Sequence, residues 1–503
     1  SMVALVLLAV AYPEPAAQTA VQQSVVAATS KRAAAASAAA TPKLLALLET
    51  PDVRTALRQC CSAVANLTAT ELLERLRAEL RAAELAHNFP TLAEDMHAGS
   101  DMTLDQIDEF SWWLNPYEVE LVDGVARTPA SPDEVSCDYF GCHRRGVGAP
   151  PLGFENWAEE AIFGCPPFAD ATPTWDEASN RLIYVALNAR RADTGSMPNF
   201  GTISIVFRHG AVAPMVEVAA IDTGLWEMSC NESSSPRHLK LNIDCNFTDI
   251  RRPGTLEHLD HVLYGNLGMW ATAGTPGPLP PSTIAQEAAF FLGRSALADA
   301  AYTDLAPTAD SMSIYKYLES NLLGNPRMDA IKLFLPLFGA IFGTGAGEKL
   351  LALAARRGTP VVWALGDGTN GSSSHHHLGP PPPPPPPSGF NQRLLDPASA
   401  ASSALNVSLP AGANATFASL WAEAKRARAR AVGGTEQPSV DVVKGWWAQL
   451  QNATLQLAPL AATSCAAASF DECVGVVVGS GDCVCARGGG GDGAQQQQQQ
   501  QQQ

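Results

Sequence analysis

Alternation of apolar and polar residues is clearest over residues 181–224, which read as three short strands. Over 202–208, Ile203, Ile205 and Phe207 alternate with Thr202, Ser204 and Arg208, the period of a strand with one buried face. The stretch 182–188 is apolar on both faces (Leu182, Ile183, Tyr184, Val185, Leu187), as expected of a strand inside a sheet. A third strand is expected over 214–222. Gly195, Pro198, Gly201, Gly210 and Pro214 supply the turns between them.

Elsewhere the period is helical. Residues 42–87 read as helix throughout, broken only at Pro51. Within 70–86, Leu72, Leu73, Leu76 and Leu80 form an apolar stripe, while Glu74, Arg75, Arg77 and Glu79 face outward. Helices are also expected over 154–163, 282–302, 311–323, 327–342, 348–356 and 417–432, with a late strand at 360–365. The fold class expected is α+β: a small, mainly antiparallel sheet packed with helices, a helical N-terminal region and a disordered C-terminal tail.

Composition divides the 503 residues. Residues 1–20 read as a signal segment, because the apolar run MVALVLLAVA ends in Ala9-Val10-Ala11, a small-x-small cleavage pattern. An alanine-rich and helical region follows over 21–100, then the α+β core over 101–370. The segment 371–393 is a His/Pro-rich linker whose eight consecutive prolines, 380–387, make a semi-rigid polyproline spacer. A glycosylated, helical and cysteine-containing region is expected over 394–487, and a Gly/Gln-rich disordered tail over 488–503. The formal net charge of −17 leaves no basic field for phosphates, which argues against nucleic acid as a partner. No apolar run is long enough to span a bilayer, so no membrane span is expected in the mature chain.

Two patterns point to the secretory pathway or the extracellular space. Asn66, Asn231, Asn246, Asn370, Asn406, Asn414 and Asn452 each open an N-x-S/T sequon, seven of eighteen asparagines. The eleven cysteines cluster without tandem CxxC pairs, which favours disulfides over zinc. Candidates are Cys137, Cys142, Cys230, Cys245, Cys465, Cys473, Cys483 and Cys485, with a small 137–142 loop and a 230–245 bridge the simplest pairings. The odd count leaves one thiol free or intermolecular.

Candidate chemistry is sparse. Asp222-Thr223-Gly224 looks like the triplet of pepsin-like aspartic proteases, but that chemistry needs two carboxylates and this chain has one copy. Glu257-His258-Leu259-Asp260-His261 is the densest titratable cluster; on a helix Glu257 and His261 share a face, with His258 one turn from His261. His258 and His261 are thus weak metal candidates, and the same cluster is an acid/base candidate or a solvated helix face. Asp101, Asp105, Asp108 and Glu109 precede Trp112, Trp113 and Tyr117, either a sugar-binding platform or a helix burying its indoles. No serine-hydrolase elbow, P-loop or dinucleotide-binding glycine pattern occurs.

The order Trp157-Ala158-Glu159, Phe163-Gly164, Arg181, Tyr184-x-Ala186-Leu187-Asn188 and Gly195-Ser196-x-Pro198-x-Phe200-Gly201 resembles a bacterial family of unknown function with a YxALN…PxFG core. The resemblance runs over 155–368. Asp222, then Asp260 with Tyr264-Gly265, match its acidic elements, and Pro360-Val361-Val362-Trp363 its late strand. By analogy alone the arrangement is similar to ADP-ribosyltransferase folds. It implies a cleft lined by Tyr184, Asn188, Phe200, Asp222 and Asp260 and assigns no cofactor; Glu257 of the titratable cluster is a further catalytic candidate. Three functions follow: a secreted or wall-associated N-glycosylated protein among cell-wall or matrix glycans, an extracellular enzyme acting on a nucleotide or glycan, or a carbohydrate-binding module built on Trp112 and Trp113.

Overall fold

Thr19 opens the first helix of the computed structural model. Its hydroxyl accepts from the Gln22 amide at 3.1 Å while the Gln22 side chain accepts from the Thr19 amide at 2.9 Å. Residues 17–60, 64, 66–89, 102–123, 135–138, 141–144, 159–169, 173–188, 201–220, 252–268, 285, 288, 318–364, 393–395, 411–432, 438, 440–455, 473–478 and 482–487 are described. The alanine-rich stretch is helical because alanine has the highest helix propensity, and α1 runs over Ala20–Glu49. Pro42 lies inside it, and the Thr41 hydroxyl donates to the Ser37 carbonyl at 2.8 Å one turn earlier. Helices α2 (Pro51–Cys60) and α3 (Ala69–Arg81) follow, the latter closed at its start by a Thr68–Glu71 capping box.

The helix expected to reach residue 87 stops at Arg81, and Glu84–Phe89 is a strand, β1. It sits in the middle of the molecule's main sheet. That sheet also contains β4 (Ile183–Asn188), β5 (Ile203–Phe207), β6 (Val216–Val218), β7 (Leu318–Leu322) and β8 (Ile331–Pro336). The order is β6-β7-β4-β1-β5-β8 and every pairing is antiparallel. The expected strands over 182–188 and 202–208 are β4 and β5, and the third shortens to β6. Where helices are expected over 311–323 and 327–342, the described residues form strands at 318–322 and 331–336, with only short helical turns at Met328–Ala330 and Phe338–Ile341. Leu318, Leu322 and Leu323 mimic a helical repeat, but Leu318 and Leu322 face the core as alternate residues of β7. The stretch 331–336 is buried at every position, so it lacks the polar face that marks a strand.

Two-stranded pairs complete the β structure: β2 (Val135–Asp138) with β3 (Gly141–Arg144), β9 (Val362–Ala364) with β10 (Arg393–Leu395), and β11 (Cys473–Val478) with β12 (Asp482–Arg487). In the first, Cys137 and Cys142 stand directly opposite each other; in the last, Cys485 faces Gly475 and Cys483 faces Val477. Cys230, Cys245 and Cys465 lie outside the described residues, as do the segment 1–16 and the proline run.

One sheet face is apolar. Leu85, Phe89, Ile183, Val185, Leu187, Ile203, Ile205, Phe207 and Phe334 are buried there, each contributing about 1.5–3 kcal/mol. Trp113 closes it, with its ring edge-on to His87, Phe89 and Phe207 at 5.2, 6.3 and 6.1 Å. Gly201 permits the β1–β5 approach, since a Cβ there would fall 2.0 Å from the Phe89 carbonyl. Helix α4 (Leu104–Glu109) is tied to a later helix, Gly345–Arg357, by Asp105–Lys349 and Asp108–Arg356 pairs at 2.8 and 2.6 Å. Asp105 and Asp108, two of the acids ahead of the tryptophans, are thus salt-bridge partners. Trp113 is 1% exposed, so Trp112 and Trp113 do not form a coplanar exposed platform.

The core does not end at residue 370. Helices Ala411–Val432 and Val440–Leu455 pack on it through Phe417, Trp421 and Trp447, which meet Phe338, Phe342 and Trp363. Arg428 donates to the Phe342 and Gly339 carbonyls at 2.8 and 2.6 Å. The fold is α+β, with a helical N-terminal region, and its sheet crosses the boundary expected at residue 100.

Candidate functional site

The second face of the sheet is buried and divided: toward β8 Ala86, Val206, Leu333 and Leu335 pack with Val362 and Ala364 in an apolar cluster, while toward β6 it is polar. Strand alternation puts Glu84, Ala86 and Asn88 of β1 on one side, with Tyr184, Ala186 and Asn188 of β4 beside them. Glu319 and Asn321 of β7 stand opposite Ala186 and Tyr184. Glu217 of β6 stands opposite Asn321, and Ser204 of β5 opposite Asn88. A row therefore crosses the sheet: Glu217, Asn321, Tyr184, Asn88, Ser204. Beside it Ala186 and Ala86 are buried, Ala86 within the apolar cluster, next to Glu319 and the Glu84–Asn188 pair.

Most of these groups are satisfied. Asn188 Nδ2 donates to Glu84 Oε2 at 3.1 Å, and Asn321 Nδ2 to Glu319 Oε1 at 2.9 Å. The Tyr184 hydroxyl donates to Glu159 Oε1 at 2.9 Å, from a π-helical turn (Glu159–Phe163) laid over the face. Arg181, just before β4, donates to Glu159 Oε2 at 3.1 Å and to Glu160 Oε1 at 3.3 Å. Its guanidinium lies 3.8 Å from the Phe168 ring centre. Burial pulls its pKa down, but Glu159, Tyr117, Cys165 and Glu160 together outweigh that and raise it.

Three groups are not satisfied. Both carboxylate oxygens of Glu217, the Asn321 Oδ1 and the Ser204 Oγ are buried without a hydrogen-bond partner, on residues that are 0% exposed. A buried polar atom left so costs roughly 1–3 kcal/mol. Glu118 shows the contrast. It is equally buried, but it accepts from the Asn115 amide at 3.0 Å, from the Ser179 hydroxyl at 2.9 Å and from Asn325. Burial pushes its pKa up, and those donors hold it in place as a structural group. Burial pushes the Glu217 carboxyl up to about 8, with Thr29 and Arg32 of α1 drawing it back only in part. It is therefore in its acid form at neutral pH. The neighbouring Cys165 thiol is also held protonated, its pKa pushed well up by burial and then by Glu159.

The residues expected to carry chemistry divide. Tyr184 and Asn188 lie on the polar face. Asp260 and His261 lie elsewhere, at the start of helix Asp260–Gly268, which packs on α1. Arg77 Nε reaches Asp260 Oδ1 at 2.8 Å, its Nη2 bonds Oδ2, and the Thr41 hydroxyl also bonds Oδ2. Burial would raise the Asp260 pKa, but Arg77 and Thr41 together lower it. His261 Nδ1 meets the Ser37 hydroxyl and Nε2 the Arg252 carbonyl, both at 3.0 Å. Glu257 and His258 are not on that helix. They lie in the turn before it, where Thr255 bridges His258 and Glu257 is exposed, so the shared helical face is not formed. Asp222 and Phe200 lie outside the described residues. Among the described residues no three His, Cys, Asp or Glu side chains are grouped to hold a metal ion.

Glu217 and Glu319 escaped the sequence reading because alternation normally sends such residues to solvent. The signal that was available is their shared parity: ELAHNF, IYVALN, LESNL and VEV each set an amide or carboxylate at alternate positions. No protein-family model matches the chain, and no curated protein matches it in sequence.

Proposed function

We propose that this is an N-glycosylated protein of the secretory pathway that binds its ligand on the polar face of the six-stranded sheet, with Glu217 as a proton-bearing contact. The observation that carries this reading is the cluster of fully buried, unpartnered polar atoms on Glu217, Asn321 and Ser204. Stable folds pair such groups unless something else completes them. A buried acid held in its protonated form marks a candidate functional site. Tyr184 and Asn188, two residues of the expected cleft, lie on this face. The Asp260 carboxylate, occupied by Arg77, is a fastening of the N-terminal helices. An extracellular enzyme would place its acid at Glu217.

Secretion is supported by the sequons. Asn66 is exposed in the turn before α3, and Asn414 and Asn452 lie within the two C-terminal helices. Asn231, Asn246, Asn370 and Asn406 fall outside the described residues. A purely structural matrix glycoprotein is the second reading, favoured by the polyproline segment. A thermal-shift screen of the full chain, secreted from a glycosylating host, separates the two. A ligand held at about 100 times its dissociation constant stabilises the native state by about 2.7 kcal/mol. Loss of that shift in Tyr184→Phe and Asn321→Ala locates it on the sheet. Silence across nucleotides, sugars and divalent metals favours the matrix protein.

A further inference from the structure

We infer that residues 17–32, the lead-in and first half of α1, form a proton-controlled cover: they lie closed over Glu217 while its carboxyl carries a proton, and come away from β6 when it ionises. The cover works without reference to any ligand, so it can fail while the face beneath remains a binding site.

Helix α1 is held differently along its length. Over residues 17–32 the only buried side chains are Gln22 and Thr29, both polar, with Val25 and Val26 half-buried. From Ala33 onward the buried set is Ala33, Ala36, Ser37, Ala40, Leu44 and Leu48, and Ser37 and Thr41 are tied to His261 and Asp260. Hydrogen bonds fasten the first half. Gln18 Nε2 donates to the Leu323 carbonyl at 2.7 Å, the Thr19 hydroxyl to Asn180 Oδ1 at 2.6 Å, and Gln22 Nε2 to the Ser179 carbonyl at 2.9 Å. The Asn325 amide donates to the Ala17 carbonyl at 3.0 Å. When the segment lifts, such bonds are exchanged for bonds to water, whereas apolar burial is lost outright. The first half is therefore the part of α1 that opens at least cost.

Glu217 lies under that half, 0% exposed and with neither carboxyl oxygen hydrogen-bonded. From α1, Thr29 and the exposed Arg32 favour its charged form without offsetting burial, and Arg32 Nη2 donates to the Thr29 hydroxyl at 2.9 Å. Glu319 stands diagonal to it on β7. Glu159, Glu160 and Cys165 lie on and just after the π-helical turn, and Arg181 is taken up by Glu159 and Glu160. Arg252, on the segment bridged to Val218 through Gly254, is exposed. Ionisation thus sets a new carboxylate out of water beside others, with Arg32 its one opposing charge on α1. Lifting the first half hydrates that carboxylate and relieves the cost. It also admits water, or a ligand, to Glu217 and Asn321.

The closed form holds the Glu217 proton up to a pH of about 8, and a hydrated carboxyl only up to 4.5. The open population therefore grows with pH between those values, by at most about tenfold per unit, and levels off above them.

The test is amide hydrogen exchange of the full chain at pH 5.5, 6.5, 7.5 and 8.5, read by mass spectrometry and corrected for intrinsic exchange. Protection of residues 20–32 should fall about tenfold or more between pH 5.5 and 7.5, while β4 and β5 stay better protected at every pH. Glu217→Gln, which stays neutral, should abolish the fall. Arg32→Gln removes the cation that steadies ionised Glu217 in the closed form, so protection should fall more steeply than in wild type between pH 7.5 and 8.5. Protection that is level with pH, or that falls equally in Glu217→Gln, overturns the cover. So does exchange of 20–32 in step with β4 and β5, which would make α1 one unit with the sheet. Should Glu217→Gln not fold, an Arg32→Gln profile identical to wild type overturns it alone.

Discussion

Replacing Glu217 by glutamine removes one ionisation and almost nothing else. The folded protein holds this carboxyl's pKa at about 8, against an ordinary value of 4.5. Between those two pH values the folded state keeps a proton that the unfolded chain has released. Stability from this group is thus fully present below pH 4.5 and is lost as pH rises toward 8. The slope is at most about 1.4 kcal/mol per pH unit, so the whole window amounts to roughly 5 kcal/mol as a ceiling. Water entry and relaxation around Glu217 will lower it, and a few kcal/mol is the working expectation. Glutamine has the same shape and stays neutral, so the variant should match wild type near pH 5 and exceed it by a few kcal/mol at pH 8–9. Urea denaturation of both proteins at pH 5, 6, 7, 8 and 9, followed by tryptophan fluorescence, reads the difference directly. A gap that stays constant with pH, or wild type gaining on the variant as pH rises, would mean that Glu217 is ionised and hydrated in the folded state. The acid-form contact would then be refuted.

Other consequences are equally accessible. Arg77→Met strands the Asp260 carboxylate, whose side chain is 4% exposed, and should cost about 3–5 kcal/mol in urea, partly recovered by adding Asp260→Asn. A fragment spanning 101–370 lacks β1, the strand between β4 and β5, and should show neither cooperative unfolding nor dispersed amide resonances, whereas 17–455 should show both; a folded 101–370 fragment would contradict the strand order. Deleting 411–455 uncovers Phe338, Phe342 and Trp363 and should bring dye-binding hydrophobic surface and aggregation, read by light scattering. Asn66→Gln should remove one glycan step on a gel after secretion from a eukaryotic host, with unchanged mobility refuting occupancy of that sequon.

Sequence pattern revealed those elements whose own residues carry a complete signal. Strands β4 and β5 alternate or run apolar between clear turns, and the Gly345–Arg357 helix has a Thr344 cap at one end and a left-handed Gly358 at the other. β1 was hidden because Ala83 and Leu85 prolong the apolar stripe of α3, and nothing between Arg81 and Glu84 is a strong breaker. β7 and β8 were hidden because neither presents a solvent face. The site was half visible. Tyr184 and Asn188 lie within a recognisable strand, but a row across five strands exists only once register is set, and register is not a local property. Asp260 was conspicuous as an acid; only the arrival of Arg77 and Thr41 from distant helices shows it to be occupied.

The central place of β1 also bears on how the chain is made. It leaves the ribosome first of the six strands, and its neighbour β4 follows roughly 90 residues later, on the order of 5–20 s of synthesis. During that interval the strand destined for the middle of the sheet has two open edges. Half of it is Glu84, Ala86 and Asn88, which keeps an exposed edge from recruiting other chains as an all-apolar strand would. The polar side of β1 thus serves as a solubility guard for the nascent chain before its neighbours arrive.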